Sequence, residues 1–136
     1  MSSGYVYVMY NTCYGGFSLS EAAVAEYRRR CPEAVHVSAR NVERHDPVMV
    51  QIVREMQEKA NGSCARIELE RIPAEYVNHY TIGEYDGLEG VQLQYDKYRV
   101  DSVRSILNDR ALNKTDKLAR IAAVMALVEH EREDED

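Results

Sequence analysis

The chain is poor in the residues that would give a small protein a covalent or metal skeleton. Its three cysteines, Cys13, Cys31 and Cys64, are odd in number and widely spaced, which argues against a disulfide framework and a zinc knuckle and fits reduced thiols. His36, His45 and His79 share no helical or knuckle spacing with a carboxylate or cysteine, so no metal site is expected. No window approaches the roughly 20 apolar residues of a membrane helix. The start, Met1-Ser2-Ser3-Gly4-Tyr5, has neither a basic region nor an apolar run. A cytoplasmic protein with no membrane partner is the expectation. Repeats and low-complexity stretches are missing before the C-terminal tail, and no complete catalytic signature occurs anywhere.

Charge is unevenly placed. The net charge of -6 over 136 residues comes mostly from residues 129 to 136, where six acids face Arg132 alone. Residues 1 to 128 hold 16 basic and 17 acidic side chains and are nearly neutral. A local excess of +3 lies between Asp96 and Arg120, from Lys97, Arg99, Arg104, Arg110, Lys114, Lys117 and Arg120 against Asp96, Asp101, Asp109 and Asp116. It reads as a solvated helix surface, a docking surface for the acidic tail or a weak polyanion patch. The overall balance argues against nucleic acid.

What is present is a readable order of elements. Tyr5 to Tyr10 is β-branched and aromatic, the pattern of a strand buried on both faces and central in a sheet. Ser18 with Glu21 forms a capping-box pattern before a helix that buries Leu19, Ala22, Ala23 and Tyr27 and ends at Arg28-Arg29-Arg30. Val35 to Val37 reads as a short strand. Asp46-Pro47 opens a second helix, with Met49, Ile52, Val53 and Met56 as its apolar stripe and Asn61-Gly62 as a left-handed C-cap. Ala65, Ile67 and Leu69 alternate with charged residues in a strand ended by Pro73, and residues 76–82 and 88–95 read as strands around the Asp86-Gly87 turn. Two amphipathic helices follow, the first burying Val100, Val103, Ile106 and Leu107, the second Leu118, Ile121, Ala122, Met125 and Val128. The expected architecture is a single α+β domain over residues 1–128, a mixed sheet of about four or five strands packed by helices, with a C-terminal helical pair at 97–128. Residues 129–136 read as a disordered acidic tail.

Five motifs occur in order between residues 6 and 91: Asn11-x-Cys13-Tyr14-Gly15-Gly16-Phe17-x-Leu19-Ser20, Arg44-His45-Asp46-Pro47, Ala60-Asn61-Gly62, Ile72-Pro73 and Glu84-Tyr85-Asp86-Gly87-x-Glu89. As a set they resemble a family of small uncharacterised proteins of large DNA viruses, phages and scattered cellular genomes. The resemblance implies no reaction, ligand or functional residue. The chain departs from that pattern at Gly83 and Gly90, where the family has an acidic and a bulkier residue, and the C-terminal helical pair lies outside it.

The glycine loop is where a site could be built. Paired glycines leave amides bare, so a small anion held by Gly15-Gly16 and the hydroxyls of Ser18 or Ser20 is one reading; a helix entry that needs no ligand is the other. With no lysine after the glycines and no G-x-G-x-x-G spacing, nucleotide binding by a known mode is not expected, and no cofactor is assigned. Cys13, between a strand and a helix start, reads either as a nucleophile or as a buried unreactive thiol, and His45 is the best-placed base. Glu84, Asp86 and Glu89 crowd carboxylates around one hairpin, for acid-base work, for a hard cation, or simply as a solvated turn with cross-strand pairs.

Two functions compete on these residues. The first is a non-catalytic ligand- or protein-binding module with a polar site built from Asn11, Tyr14, Gly15, Gly16, Ser18, Arg44, Glu84 and Asp86, and with residues 97–128 open to a protein partner or a second copy. The second is a small hydrolase or transferase with Cys13 as nucleophile, His45 as base and the loop amides as oxyanion donors. The second requires Cys13 and His45 to meet in space.

Overall fold

The computed structural model describes residues 4–135, with side chains described as far as residue 126. The fold is α+β, but the expected mixed sheet of four or five strands is replaced by two separate antiparallel pairs. The chain divides into two compact units, residues 1–92 and 93–136, with the expected helical pair inside the second. Among the described residues, no helix is long and apolar enough to cross a membrane.

In the first unit, strand β1 (Tyr5–Asn11) pairs with β2 (Ile67–Pro73) over its whole length, Tyr5 opposite Pro73 and Asn11 opposite Ile67. The expectation of burial on both faces holds at the centre of β1, where the neighbours Val8 and Met9 are both fully buried. The expectation of a central strand does not hold, because only one edge of β1 meets another strand. The other edge is closed by different groups: Met9 N–H donates to the Arg44 carbonyl at 2.7 Å and Asn11 N–H to Glu89 Oε1 at 2.9 Å. An exposed row of unpaired amides would template pairing with another chain, so these contacts do for β1 what a third strand would.

Helix α1 (Glu21–Arg30) is capped by Ser20, whose hydroxyl accepts from Ala23 N–H, and not by Ser18. Ser18 and its neighbours are extended instead, Leu19 bridging Asn61. That bridge also explains why Asn61-Gly62 is not a helix C-cap. Helix α2 (Pro47–Met56) stops earlier, at Gln57 with φ 56°, and a 3-10 turn covers Gln57–Ala60. The N-terminal end of α2 is as expected: Asp46 Oδ1 accepts from Val48 N–H at 2.9 Å and Met49 N–H at 3.1 Å, and Pro47 fills the first position. Met49, Val50, Ile52 and Val53 of α2, with Ala23, Val24 and Tyr27 of α1, form the core together with Met9, Phe17, Leu19 and Val37. Ala22, expected in that core, is exposed. No strand forms at Val35 to Val37; the segment is irregular, with Val37 buried and Val35 exposed.

Pro73 ends β2 as expected, and a 3-10 turn at Ala74–Tyr76 displaces the start of the next strand, so that β3 (Tyr80–Tyr85) and β4 (Leu88–Leu93) form the hairpin. Its turn residues Asp86 and Gly87 both have positive φ, 52° and 89°. That is the geometry for which Asp-Gly is favoured.

The second unit contains α3 (Tyr95–Leu107) and α4 (Lys114–Glu135). Asn113 starts α4, its side chain accepting from Asp116 N–H at 2.8 Å. The expected burial of both stripes is not realised. No residue of α3 is buried, and Val100, Leu107 and Leu118 are 47%, 55% and 61% exposed. Ala122 is exposed too. The side chains of Val128 and of the acidic tail lie outside those described.

Candidate functional site: a closed polar junction and an open groove

Asn11 is the only fully buried polar side chain among the described residues and it joins three segments. Its Oδ1 accepts from Arg66 N–H at 2.8 Å, and its Nδ2 donates to the carbonyls of Cys13 and Gly87. All of the amide's principal hydrogen-bonding capacity is thus spent inside the protein. The same residue's main-chain N–H reaches Glu89, whose carboxylate takes a two-pronged contact from Arg44 at 2.7 and 3.0 Å. The Arg44 guanidinium also covers the Phe17 ring, 3.8 Å from its centroid. Planar fork-to-carboxylate pairing and stacking on an aromatic face are both arginine chemistry.

The glycine loop is closed against the hairpin turn. Gly15 N–H faces the Asp86 carbonyl at 3.4 Å, and a Cβ built on Gly87 would come within 2.3 Å of Gly16 N and 2.6 Å of Gly15 N. A Cβ on Gly15, where φ is 130°, would meet the Cys64 carbonyl at 2.8 Å. The glycines are therefore explained by backbone packing on backbone. Ser18 contributes its carbonyl, which accepts from Gly62 N–H at 2.7 Å, and a Cβ on Gly62 would strike the Ser18 side chain. Tyr14 is exposed beside this contact.

The hairpin carboxylates diverge. Glu84 accepts from Gly87 N–H and closes the turn, Glu89 faces Arg44, and Asp86 is exposed in the turn. Among the described residues no three His, Cys, Asp or Glu side chains group to hold a metal ion. The motif residues Asn11, Gly15, Gly16, Phe17, Arg44, Gly87 and Glu89 thus meet in one junction. Glu89 and Phe17, which the sequence does not mark out as part of a polar binding site, are its ion-pair partner and its aromatic platform.

Cys13 and His45 are not brought together. Cys13 is half-buried and lines a cleft of about 560 Å³ with Gln57, Glu58, Asn61, Arg66 and Glu68. His45 lines a different cavity of about 230 Å³, against Tyr5, Val6 and Tyr7 at the start of β1. From Tyr7 to Asn11, the end of β1, is about 13 Å of extended chain, and Cys13 lies two residues beyond it. The His45 ring is engaged elsewhere, with Nδ1 2.7 Å from the Tyr80 hydroxyl and the two rings edge to face. Burial raises the Tyr80 pKa and nearby Glu43 reinforces it, so the phenol keeps its proton within hydrogen-bonding distance of Nδ1.

No family model matches this chain, and neither does a curated protein or a solved structure. Function has to be argued from the geometry alone.

The other concave feature lies within the second unit. Val100, Val103 and Leu107 of α3 face Ile121 and Met125 of α4 across an apolar groove of about 640 Å³, with Arg99 and Arg104 also lining it. Its signal in the sequence is the pair of amphipathic stripes.

Proposed function

We propose that the chain is a non-catalytic protein-binding module whose binding element is the α3–α4 groove. The observation that carries this reading is the exposure of the stripe residues Val100, Leu107 and Leu118 beside that groove, in a unit where α3 buries nothing. Two helices alone bury too little apolar surface to be self-sufficient, and an exposed apolar groove rimmed by charge fits an amphipathic helix from a partner. The polar site expected at Gly15-Gly16 has no part in this reading, because the Gly15 amide faces the Asp86 carbonyl and Asn11 and Arg44 are spent on internal partners. What supports this reading over the hydrolase alternative is that Cys13 and His45 line different cavities. In this view the junction in residues 1–92 is scaffold.

The test is a fluorescence titration of the full chain with a labelled synthetic amphipathic helical peptide of leucine and glutamate. Saturable binding that is lost in Val103→Glu and kept in Cys13→Ser and His45→Ala supports the module. Binding that survives Val103→Glu, or no binding by a chain that is monomeric, overturns it.

A further inference from the structure

The groove has two walls, and the sequence of the same chain supplies a candidate for the missing ones. The groove-lining Val100, Val103 and Leu107 on α3 recur at intervals of three and four residues, and so do Leu118, Ile121 and Met125 on α4. That is the seam spacing of coiled-coil-like bundles, in which each helix meets two neighbours. Within the second unit each described helix has one. The two helices are also unequal: α3 has 13 residues and α4 has 22, about 20 Å against 33 Å at 1.5 Å per residue. α4 therefore exceeds α3 by nine residues, about two fifths of its own length.

Charge says what completes the bundle. The groove is lined by Arg99 and Arg104, within a stretch that the sequence makes positive, while residues 129 to 136 carry six acids against Arg132. As α4 is one continuous helix to Glu135, its acidic end runs on from one wall of the groove and does not fold back across it. The acidic end of α4 from a second copy has no such restriction. In a two-fold arrangement each copy gives to the other what it takes, so one complementary surface is used twice.

We infer that the α3–α4 groove is filled by α4 of a second copy of this chain, giving an antiparallel four-helix dimer in which the acidic end of each α4 meets Arg99 and Arg104 of the other. This rests on the groove being the binding element, as proposed above, and names its occupant.

The experiment is sedimentation equilibrium of the full chain with two charge variants. Variant one carries Arg99→Glu and Arg104→Glu; variant two carries Glu131→Lys, Glu133→Lys, Asp134→Lys and Glu135→Lys. The expected result is a wild-type dimer weakened at least tenfold in each variant alone and restored to within about threefold of wild type when the two are mixed, because only the mixed pair sets opposite charges face to face. A dimer indifferent to these changes and to Val103→Glu overturns the proposal by placing the interface elsewhere. A monomeric wild type also overturns it, and maleimide labelling of Val103→Cys, with Cys13, Cys31 and Cys64 replaced by serine, then separates the two readings. Fast labelling leaves the groove open for a different partner and the binding-module reading intact. Labelling blocked until the chain is denatured means that the chain covers its own groove, and both readings fall.

Discussion

The guanidinium of Arg44 grips both carboxylate oxygens of Glu89 while its other face rests on Phe17, and the Arg44 carbonyl accepts from Met9 of β1. One residue therefore closes the free edge of a strand with its main chain and anchors a hairpin with its side chain. Glu89 is 7% exposed and Arg44 21%, so the pair is largely withdrawn from water. Removing one partner of such a pair costs more than the pair itself contributes, because the other charge is left buried and unpaired.

Glu89→Gln should accordingly lower stability by about 2–4 kcal/mol, since Arg44 loses its counter-charge and Asn11 N–H its ionised acceptor. Arg44→Lys should cost about 1–2 kcal/mol by keeping the charge but losing the fork and the stacking on Phe17. Urea unfolding followed by circular dichroism measures both. A midpoint shift corresponding to less than 0.5 kcal/mol for Glu89→Gln would show that the junction does not hold the fold.

The glycines of the two turns make a sharper contrast. At Gly87, φ is 89° and an added Cβ would lie 2.3 Å from Gly16 N, so backbone must move against backbone. Gly87→Ala should lose at least about 2 kcal/mol. At Gly90 nothing lies within 4 Å of the added atom and φ is not positive, so Gly90→Ala should stay within about 0.5 kcal/mol. Equal effects in thermal melts would contradict the packing described for the loop and turn.

The elements that were legible in the sequence are those whose cause is local. Asp46-Pro47 sets a cap and a first helical residue with its own atoms, Asp86-Gly87 supplies two positive φ angles, and Pro73 ends a strand by lacking an N–H. What failed was decided by distant partners. Asn61-Gly62 has the composition of a left-handed cap, but Asn61 is drawn into a bridge with Leu19, and Gln57 takes the positive φ instead. Ser18 gives up the capping role to Ser20 because its carbonyl is held by Gly62. A third strand beside β1 was a reasonable reading of an apolar segment, yet an arginine main chain and a glutamate carboxylate satisfy that edge, which no periodicity reveals. The same limit applied to the candidate site. The motif residues do meet, as expected of a site, but their hydrogen bonds are consumed by one another.

Cys13 offers a direct check on the loss of the catalytic reading. With His45 hydrogen-bonded to Tyr80 and lining a separate cavity, His45→Ala should leave the iodoacetamide alkylation rate of Cys13 unchanged within about twofold at every pH, in a background with Cys31 and Cys64 replaced by serine. A rate that falls tenfold or more at neutral pH in His45→Ala would mean that the two residues communicate and would restore the hydrolase reading.

Tyr27 links the two helices of the first unit and gives stability a defined pH dependence. Its hydroxyl donates to Asp46 Oδ2 at 2.7 Å, while the other oxygen of that carboxylate caps α2. Burial first, and then the hydrogen bond to Asp46 and its charge, push the phenol's pKa well above its ordinary value of 10.0. The unfolded chain gives up this proton near the ordinary value and the folded chain holds it, so above that point the folded state binds more protons and stability falls as pH rises. The contribution is complete below about pH 10 and is lost progressively on going upward. Tyr27→Phe removes both the hydrogen bond and the titrating group. At pH 7 it should destabilise by about 1–2 kcal/mol, as loss of a hydrogen bond to a charged acceptor, and above pH 10 its stability should decline less steeply than that of the wild type. Urea midpoints from pH 7 to 11 decide the matter: parallel profiles for the two proteins would show that the phenol ionises as freely in the folded state as in the unfolded one, and that the Tyr27–Asp46 contact does not join α1 to the cap of α2.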